Sequence, residues 1–217
     1  MPASPPTRSP RLLTRFGDHF YAVDKPAGWL THTVGTDAPD LVRWVRSQGG
    51  LPRDLRPVHR LDGPTSGVVL CATRAGRAAA TAWFGERRVR KTYLALVVGR
   101  VRSHGEIERP LRENGTERAA HTRWRLREGL GGFALLEVMP VTGRKHQVRR
   151  HLASIGHPIV GDLRHKGKFR PVPAFPGRLW LHASRLRVPF GEEERVIESP
   201  LPPELEATLT ALRESLR

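Results

Sequence analysis

Five short apolar runs most constrain how this chain can fold. Four of them cover residues 20–24, 68–72, 92–98 and 133–138, the fifth, 180–188, is a more polar segment that also reads as a strand, and glycine, proline or a polar cluster stops nearly all of them. Runs of this length, rich in Val, Leu and aromatic side chains, suit strands in a sheet. Helical spacing appears between and after them. Residues 41–46 show it and end at Gly49-Gly50. An Ala-rich segment runs from Thr73, read as an N-cap, to about Phe84. A third helix is expected from about Lys145 to Ile155, with Val148, Leu152 and Ile155 on one face. Leu205, Leu209, Leu212 and Leu216 mark a closing amphipathic helix. Residues 102–132 read as short strands and surface excursions, and residues 163–178 as a loop. Strands and helices mix without a regular strand–helix–strand alternation. The expectation is therefore α+β, with a mixed, mainly antiparallel sheet and flanking helices and loops. Residues 1–14 read as a disordered tail and residues 15–217 as one domain.

The charge is lopsided. Formal net charge is +16, yet residues 191–217 hold seven acidic and three basic residues, so residues 1–190 carry +20. Only five of the basic residues are lysines. Drift toward arginine explains the type of charge but not its imbalance of sign. A surplus of this size points to a polyanion, and nucleic acid is the usual one. The single cysteine, Cys71, lies in an apolar run and excludes an internal disulfide or a cysteine zinc site. The histidines form no metal-binding pattern, so neither a metal nor a cofactor is expected. No stretch reaches the ~20 apolar residues of a membrane span. The Pro-rich N-terminus lacks a signal-peptide core. A cytoplasmic location without membrane contact, and no obligate protein partner, are the simplest expectations.

Three segments carry candidate chemistry. His59-Arg60-Leu61-Asp62-Gly63-Pro64-Thr65-Ser66-Gly67 sets a carboxylate in a Gly/Pro-broken loop running into an apolar strand. A carboxylate mounted there, with Arg60 two residues away, stays ionised and can act as nucleophile or base; the bland reading is a turn cap. Lys91-Thr92-Tyr93 places Lys91 and Tyr93 on one strand face. Tyr93 is either a core ring or a ring that stacks on a base and offers its hydroxyl. In Thr142-Gly143-Arg144-Lys145-His146-Gln147-Val148-Arg149-Arg150, four basic residues crowd a helix start. That opposes the helix dipole unless anions sit there, so a phosphate site is expected over side chains splayed into solvent. Asp162 reads as structural, though it offers a second carboxylate.

Taken together, His59-Arg60-Leu61-Asp62-x-x-Thr65-Ser66-Gly67, Lys91-x-Tyr93-Leu94-Ala95, Thr142-Gly143-Arg144-x-His146-Gln147-x-Arg149-x-His151-Leu152, Gly156-His157-Pro158-Ile159-x-Gly161-Asp162 and Leu181-His182-Ala183 resemble the RluA family of RNA pseudouridine synthases. The resemblance implies a catalytic domain with an RNA-binding cleft that isomerises uridine to pseudouridine without a cofactor. It implies Asp62 as the catalytic carboxylate, Tyr93 against the target base and Arg144 as the cation that pairs with the aspartate. Arg60 would help displace the base, and Val148 would form an apolar wall. Lys91, His146, Arg149, Arg150, Lys166 and Lys168 complete the expected RNA contacts. Gly63 stands where the family carries arginine, which removes one RNA contact. An S4-type domain is not expected. Trp29, the run Arg149-Arg150-His151-Leu152-Ala153 and Arg164-His165 resemble the TruC subgroup, which modifies a tRNA uridine. RNA is thus the expected partner, with tRNA favoured over rRNA. Two other readings stay open: N-glycoside hydrolysis by Asp62 with Asp162, and a non-catalytic RNA-binding module.

Overall fold

In the computed structural model, which describes residues 8–33, 38–165 and 170–217, the apolar runs form strands in two units. One unit is Met1–Arg90 with Ala183–Pro200, and the other is Lys91–His182 with Leu201–Arg217.

The first unit begins with β1 (Arg11–Phe16) and β2 (Phe20–Lys25), paired antiparallel. Residues 11–14 thus belong to a strand, where the sequence suggested a tail. The cause is pairing: Leu12 and Arg11 sit opposite Val23 and Asp24, and Arg11 donates to the Asp24 carboxylate at 3.2 Å. Helix α1 (Leu41–Ser47) is capped by Asp40, which accepts from the Arg43 N–H at 2.9 Å. The short β3 (Arg56–Pro57) pairs with the end of β4 (Ser66–Ala72), a strand buried along its whole length, and β2 pairs with β4 antiparallel. Helix α2 (Arg77–Gly85) has Gly76 at its N-cap and starts three residues later than Thr73 suggested. The Thr73 hydroxyl is bound to His19 Nδ1 at 3.1 Å, so it serves the β1–β2 hairpin rather than the helix.

The second unit opens with β5 (Arg90–Val98), which runs almost entirely inside it. The polar stretch after it holds β6 (His104–Ile107), the hairpin β7 (Leu111–Glu113) and β8 (Thr116–Arg118), and β9 (Thr122–Leu130). Asn114 and Gly115 join β7 to β8 at φ of 48° and 82°, the left-handed pair that a two-residue hairpin turn demands. β10 (Phe133–Pro140) lies between β5 and β9, antiparallel to both, and β6 pairs with β9. Helix α3 (Gln147–Ser154) starts later than expected because His146 takes a left-handed φ of 54°.

β11 (Leu181–Phe190) carries the chain back to the first unit, where it lies beside β4 and pairs with β12 (Glu193–Glu198). Gly67 permits the approach. Its φ is 122°, and a Cβ there would stand 2.2 Å from the Ala183 carbonyl oxygen. Helix α4 (Pro203–Glu214) closes the second unit by burying Leu205, Leu209 and Leu212, while Leu216 falls past its end. The architecture is α+β, a mixed and mainly antiparallel sheet with flanking helices, as read from the sequence. Each unit has its own core: Phe16, Phe20, Val68, Leu70 and Leu186 in the first; Leu96, Leu136, Leu152, Trp180 and Leu209 in the second. No helix among the described residues is long and apolar enough to cross a membrane.

Candidate active site

Asp62 sits half-buried in the loop that feeds β4, and the surrounding backbone is clamped from several sides. Its carbonyl accepts from the Thr65 N–H at 3.0 Å, closing a turn. On one side, the Thr31 hydroxyl accepts from the Leu61 N–H at 3.1 Å and donates to the Leu61 carbonyl at 3.2 Å. On the other, the Gly63 carbonyl accepts from the Gly28 N–H at 2.8 Å and from Lys25 Nζ at 3.3 Å. Lys25 is 0% exposed, and its ammonium also donates to the carbonyls of Trp29 (2.8 Å) and Pro26 (3.1 Å). A buried cation costs several kcal/mol unless its protons are satisfied. Here three carbonyl dipoles satisfy it, and the loop carrying Asp62 is one of them. His59 stacks on Phe84 with centroids 4.7 Å apart, and its Nε2 accepts from the Leu70 N–H at 2.9 Å. Arg60 points to solvent. The result is a carboxylate on a fixed backbone with an exposed guanidinium two residues away.

In the second unit, Tyr93 is half-buried on β5 opposite Val138 and packs against the core. Lys91 is two residues before it, so the two share a strand face. Lys91 Nζ donates to the Thr142 carbonyl at 3.3 Å, and burial pulls its pKa down to about 8. Arg144 follows in the same turn. Its N–H donates to Gln147 Oε1 at 2.9 Å and its Nε to the Ala119 carbonyl at 3.0 Å. Gln147 is buried and organises this turn. Its Oε1 also accepts from the Thr142 hydroxyl at 2.6 Å, and its Nε2 donates to the His121 carbonyl (2.8 Å) and the Thr122 hydroxyl (2.9 Å). Buried His151 continues the web, with Nδ1 2.9 Å from the Thr122 hydroxyl and Nε2 2.9 Å from the Arg109 carbonyl. Desolvation holds His151 below the usual imidazole range. Val148 packs into the second unit's core.

One expected RNA contact is corrected. Arg149 does not reach out to phosphate. Its side chain is 7% exposed and donates from Nε (2.8 Å) and a terminal nitrogen (2.7 Å) to both oxygens of Asp162, itself 0% exposed. Asp162 also accepts from the N–H groups of Arg164 and His165, each at 2.9 Å. Burial by itself would push this carboxyl up. The Arg149 and backbone hydrogen bonds, with the Arg149 charge, outweigh it and bring the pKa to about 2. A carboxylate so committed is not free to activate water, which removes the basis for a hydrolytic role. Arg150 and His146 are half-exposed. Lys166 and Lys168 lie outside the described residues. Glu106, Glu108 and His121 bring three potential metal-ligand atoms within 4.8 Å of one another, but Glu106 already accepts from His121 and Arg123, whose hydrogen bonds lower its pKa.

A family model for RNA pseudouridylate synthase matches residues 19–154, a span that includes Asp62, Tyr93 and Arg144. The chain belongs to this family. The enzyme reading taken from the motifs therefore stands: the family is one of RNA-modifying isomerases. Relatives agree over most of the chain. The tRNA pseudouridine synthase C of Salmonella typhimurium is 36% identical over 218 residues, covering 83% of this chain and 81% of that protein. That of Pectobacterium carotovorum is also 36% identical, although the chain spans only 53% of that protein's length. The ribosomal large subunit pseudouridine synthase C of Vibrio parahaemolyticus is 32% identical, covering 91% of this chain and 68% of that protein. Among solved structures, human RNA pseudouridylate synthase domain containing 1 matches with a TM-score of 0.76 at 27% identity, covering 98% of this chain and 97% of that one.

Sequence reasoning missed Lys25, Thr31, Thr122 and the positioning role of Gln147. The signal for Lys25 was present: a lysine closing an apolar strand immediately before Pro26-Ala27-Gly28. Nothing local marks Thr31 or Thr122, whose partners lie 30 and 29 residues away in the chain.

Proposed function

We propose that this protein isomerises a specific uridine to pseudouridine in a structured RNA, tRNA in preference to rRNA, with Asp62 as the catalytic carboxylate. The observation that carries the reading is the clamped loop around Asp62 inside the span that defines the family. A loop held by a buried ammonium and a buried hydroxyl is built to present one side chain in one place.

The reaction breaks the N1–C1′ bond, turns the uracil and joins C5 to C1′, so the C5 proton leaves and N1 gains one. The base must first leave its stack, at a cost of a few kcal/mol. Exposed Arg60 occupies the gap and Tyr93 offers a ring to the uracil, which offset part of that cost. Asp62 either bonds C1′ as the glycosidic bond breaks and is displaced when C5 takes its place, or removes a sugar proton at that moment and returns it as the C5–C1′ bond forms. Arg144 supplies positive charge from a turn that Gln147 and Thr142 hold rigid. No step needs a metal or a nucleotide cofactor.

The names of the Salmonella and Pectobacterium relatives support tRNA. The relative named for the large ribosomal subunit makes rRNA the competing substrate. The test offers purified protein unmodified tRNA and, separately, unmodified rRNA, and maps new pseudouridines. Asp62→Asn should abolish product while RNA binding persists, because the amide keeps the shape but is neither nucleophile nor base. Turnover within tenfold of wild type would remove Asp62 from the chemistry. Product in rRNA alone would move the substrate assignment and leave the isomerase standing.

A further inference from the structure

The second unit holds a basic basin of about 490 Å³ that the mechanism above does not use. Three separate chain segments build it: the β7–β8 hairpin with Arg112, the turn before α3 with Lys145 and His146, and the turn after Gly161 with Arg164 and His165. Arg150 reaches it from the first turn of α3. Two left-handed residues, Asn114 and His146, set the hairpin and the helix start in place.

The charges in the basin are not balanced from within. Among the described residues that line it, Glu113 is the one carboxylate, and it already accepts from the Lys145 backbone N–H. Among the described residues, the cationic heads of Lys145, Arg150 and Arg164 have no hydrogen-bond or ion-pair partner. The Arg112 Nε donates only to the Gly115 carbonyl of its own hairpin, at 3.2 Å. His146 Nδ1 and His165 Nε2 lie 3.1 Å apart, so this pair shares a proton, and desolvation holds His165 below the usual imidazole range. His165 therefore adds hydrogen bonding rather than charge at neutral pH. Like charges converging on one hollow repel each other, and a fold tolerates that where an anion arrives to neutralise them. The hollow is open and polar, and its cations come from three directions, which suits a strand carrying several phosphates rather than one small ion.

Resting on the reading of this chain as an RNA-modifying enzyme, we infer that this basin is a phosphodiester site that grips the RNA strand outside the nucleotide being isomerised. Arg112, Lys145, Arg150 and Arg164 contact the phosphates, and the asymmetry of the three segments sets the path of the strand. Buried Arg149, next in sequence to Arg150, takes no part. It fixes Asp162 and, through the Arg164 and His165 N–H groups, one wall of the basin.

The experiment compares binding of an unmodified tRNA transcript to wild type, to Arg112→Gln/Arg150→Gln and to a control of equal net charge, Arg46→Gln/Arg102→Gln, over a range of salt. Each phosphate contact contributes about 0.7–0.9 to the slope of log affinity against log salt. The basin variant, which removes two contacts, should lose about 1.4 to 1.8 from that slope, and the control should lose less than half as much. Thermal melts confirm that both variants are folded. An unchanged slope in the basin variant, or an equal loss in the control, overturns the inference. A short single-stranded RNA should compete for the basin. If inorganic phosphate at the same phosphate concentration competes equally well, the site is one for a small anion and the strand assignment fails. If wild type isomerises uridine while the basin variant keeps the full slope, the basin is wrong and the function stands. If wild type binds tRNA with a slope that the basin variant reduces but forms no pseudouridine in any RNA, the function is wrong and the basin stands.

Discussion

Arg149→Met tests whether the arginine inside the most basic segment is a structural cation. Its guanidinium and the Asp162 carboxylate are both removed from water and bound to each other through two contacts, at 2.8 and 2.7 Å. Removing one partner of such a pair leaves a buried charge uncompensated, at a cost of about 3–5 kcal/mol. The carboxyl itself gives a second measure. It ionises at about 2 rather than 3.8, a difference of nearly two units, worth about 2.5 kcal/mol. In a chain of this size each kcal/mol moves the melting temperature by about 2–4 °C, so a fall of roughly 6–20 °C is expected in a thermal melt. Because the native pKa is depressed, this stabilisation is complete above the unfolded value near 4. It is lost as pH falls through 2. The gap between wild type and variant should therefore close over that window. Arg149→Met/Asp162→Leu should recover part of the loss, since no charge is then left buried. The salt slope of RNA binding should not change. A destabilisation under about 1 kcal/mol, the value of an exposed pair, or a salt slope reduced by one phosphate contact, would refute the argument and return Arg149 to the RNA surface.

Lys25→Met strips the donor from the Pro26, Trp29 and Gly63 carbonyls, each loss costing about 1–3 kcal/mol where the acceptor stays buried. In enzyme assays kcat should fall more than KM rises, and a change in KM alone would disconnect Lys25 from the placement of Asp62. Gln147→Leu removes the contacts that hold the Arg144 turn, and urea unfolding should show a loss of about 2 kcal/mol or more, with lower kcat. A variant as stable as wild type would show that the web is dispensable. Burial holds the Lys91 pKa at about 8 instead of 10.5, so its charged form opposes folding below pH 8 and that penalty fades as pH rises toward 10.5. Any melting-temperature advantage of Lys91→Met at pH 7 should shrink across this window, and a constant difference would rule out a titrating Lys91.

The strands were legible because a run such as 68–72 is apolar at every position, and only a buried strand or a buried helix accommodates that. Its length and the Gly/Pro loop before it decide for strand. Asp62, Tyr93 and Arg144 were legible as candidates because each stands in a short motif whose residue types act together over a few positions. The charge surplus likewise points to a polyanion from composition alone. None of these patterns could say which cations remain free. Arg149 and Arg150 are neighbours in the chain, yet helix geometry turns one inward to Asp162, thirteen residues on, and leaves the other half-exposed. Thr73 looked like a cap until His19, fifty-four residues earlier, claimed its hydroxyl. Lys25 gained its meaning from a carbonyl thirty-eight residues away. Local propensity and motif chemistry act over a few residues, so the sequence by itself determined the elements and the reactive groups. Partnership and burial depend on which distant segments come to lie together, and only the tertiary structure decided those.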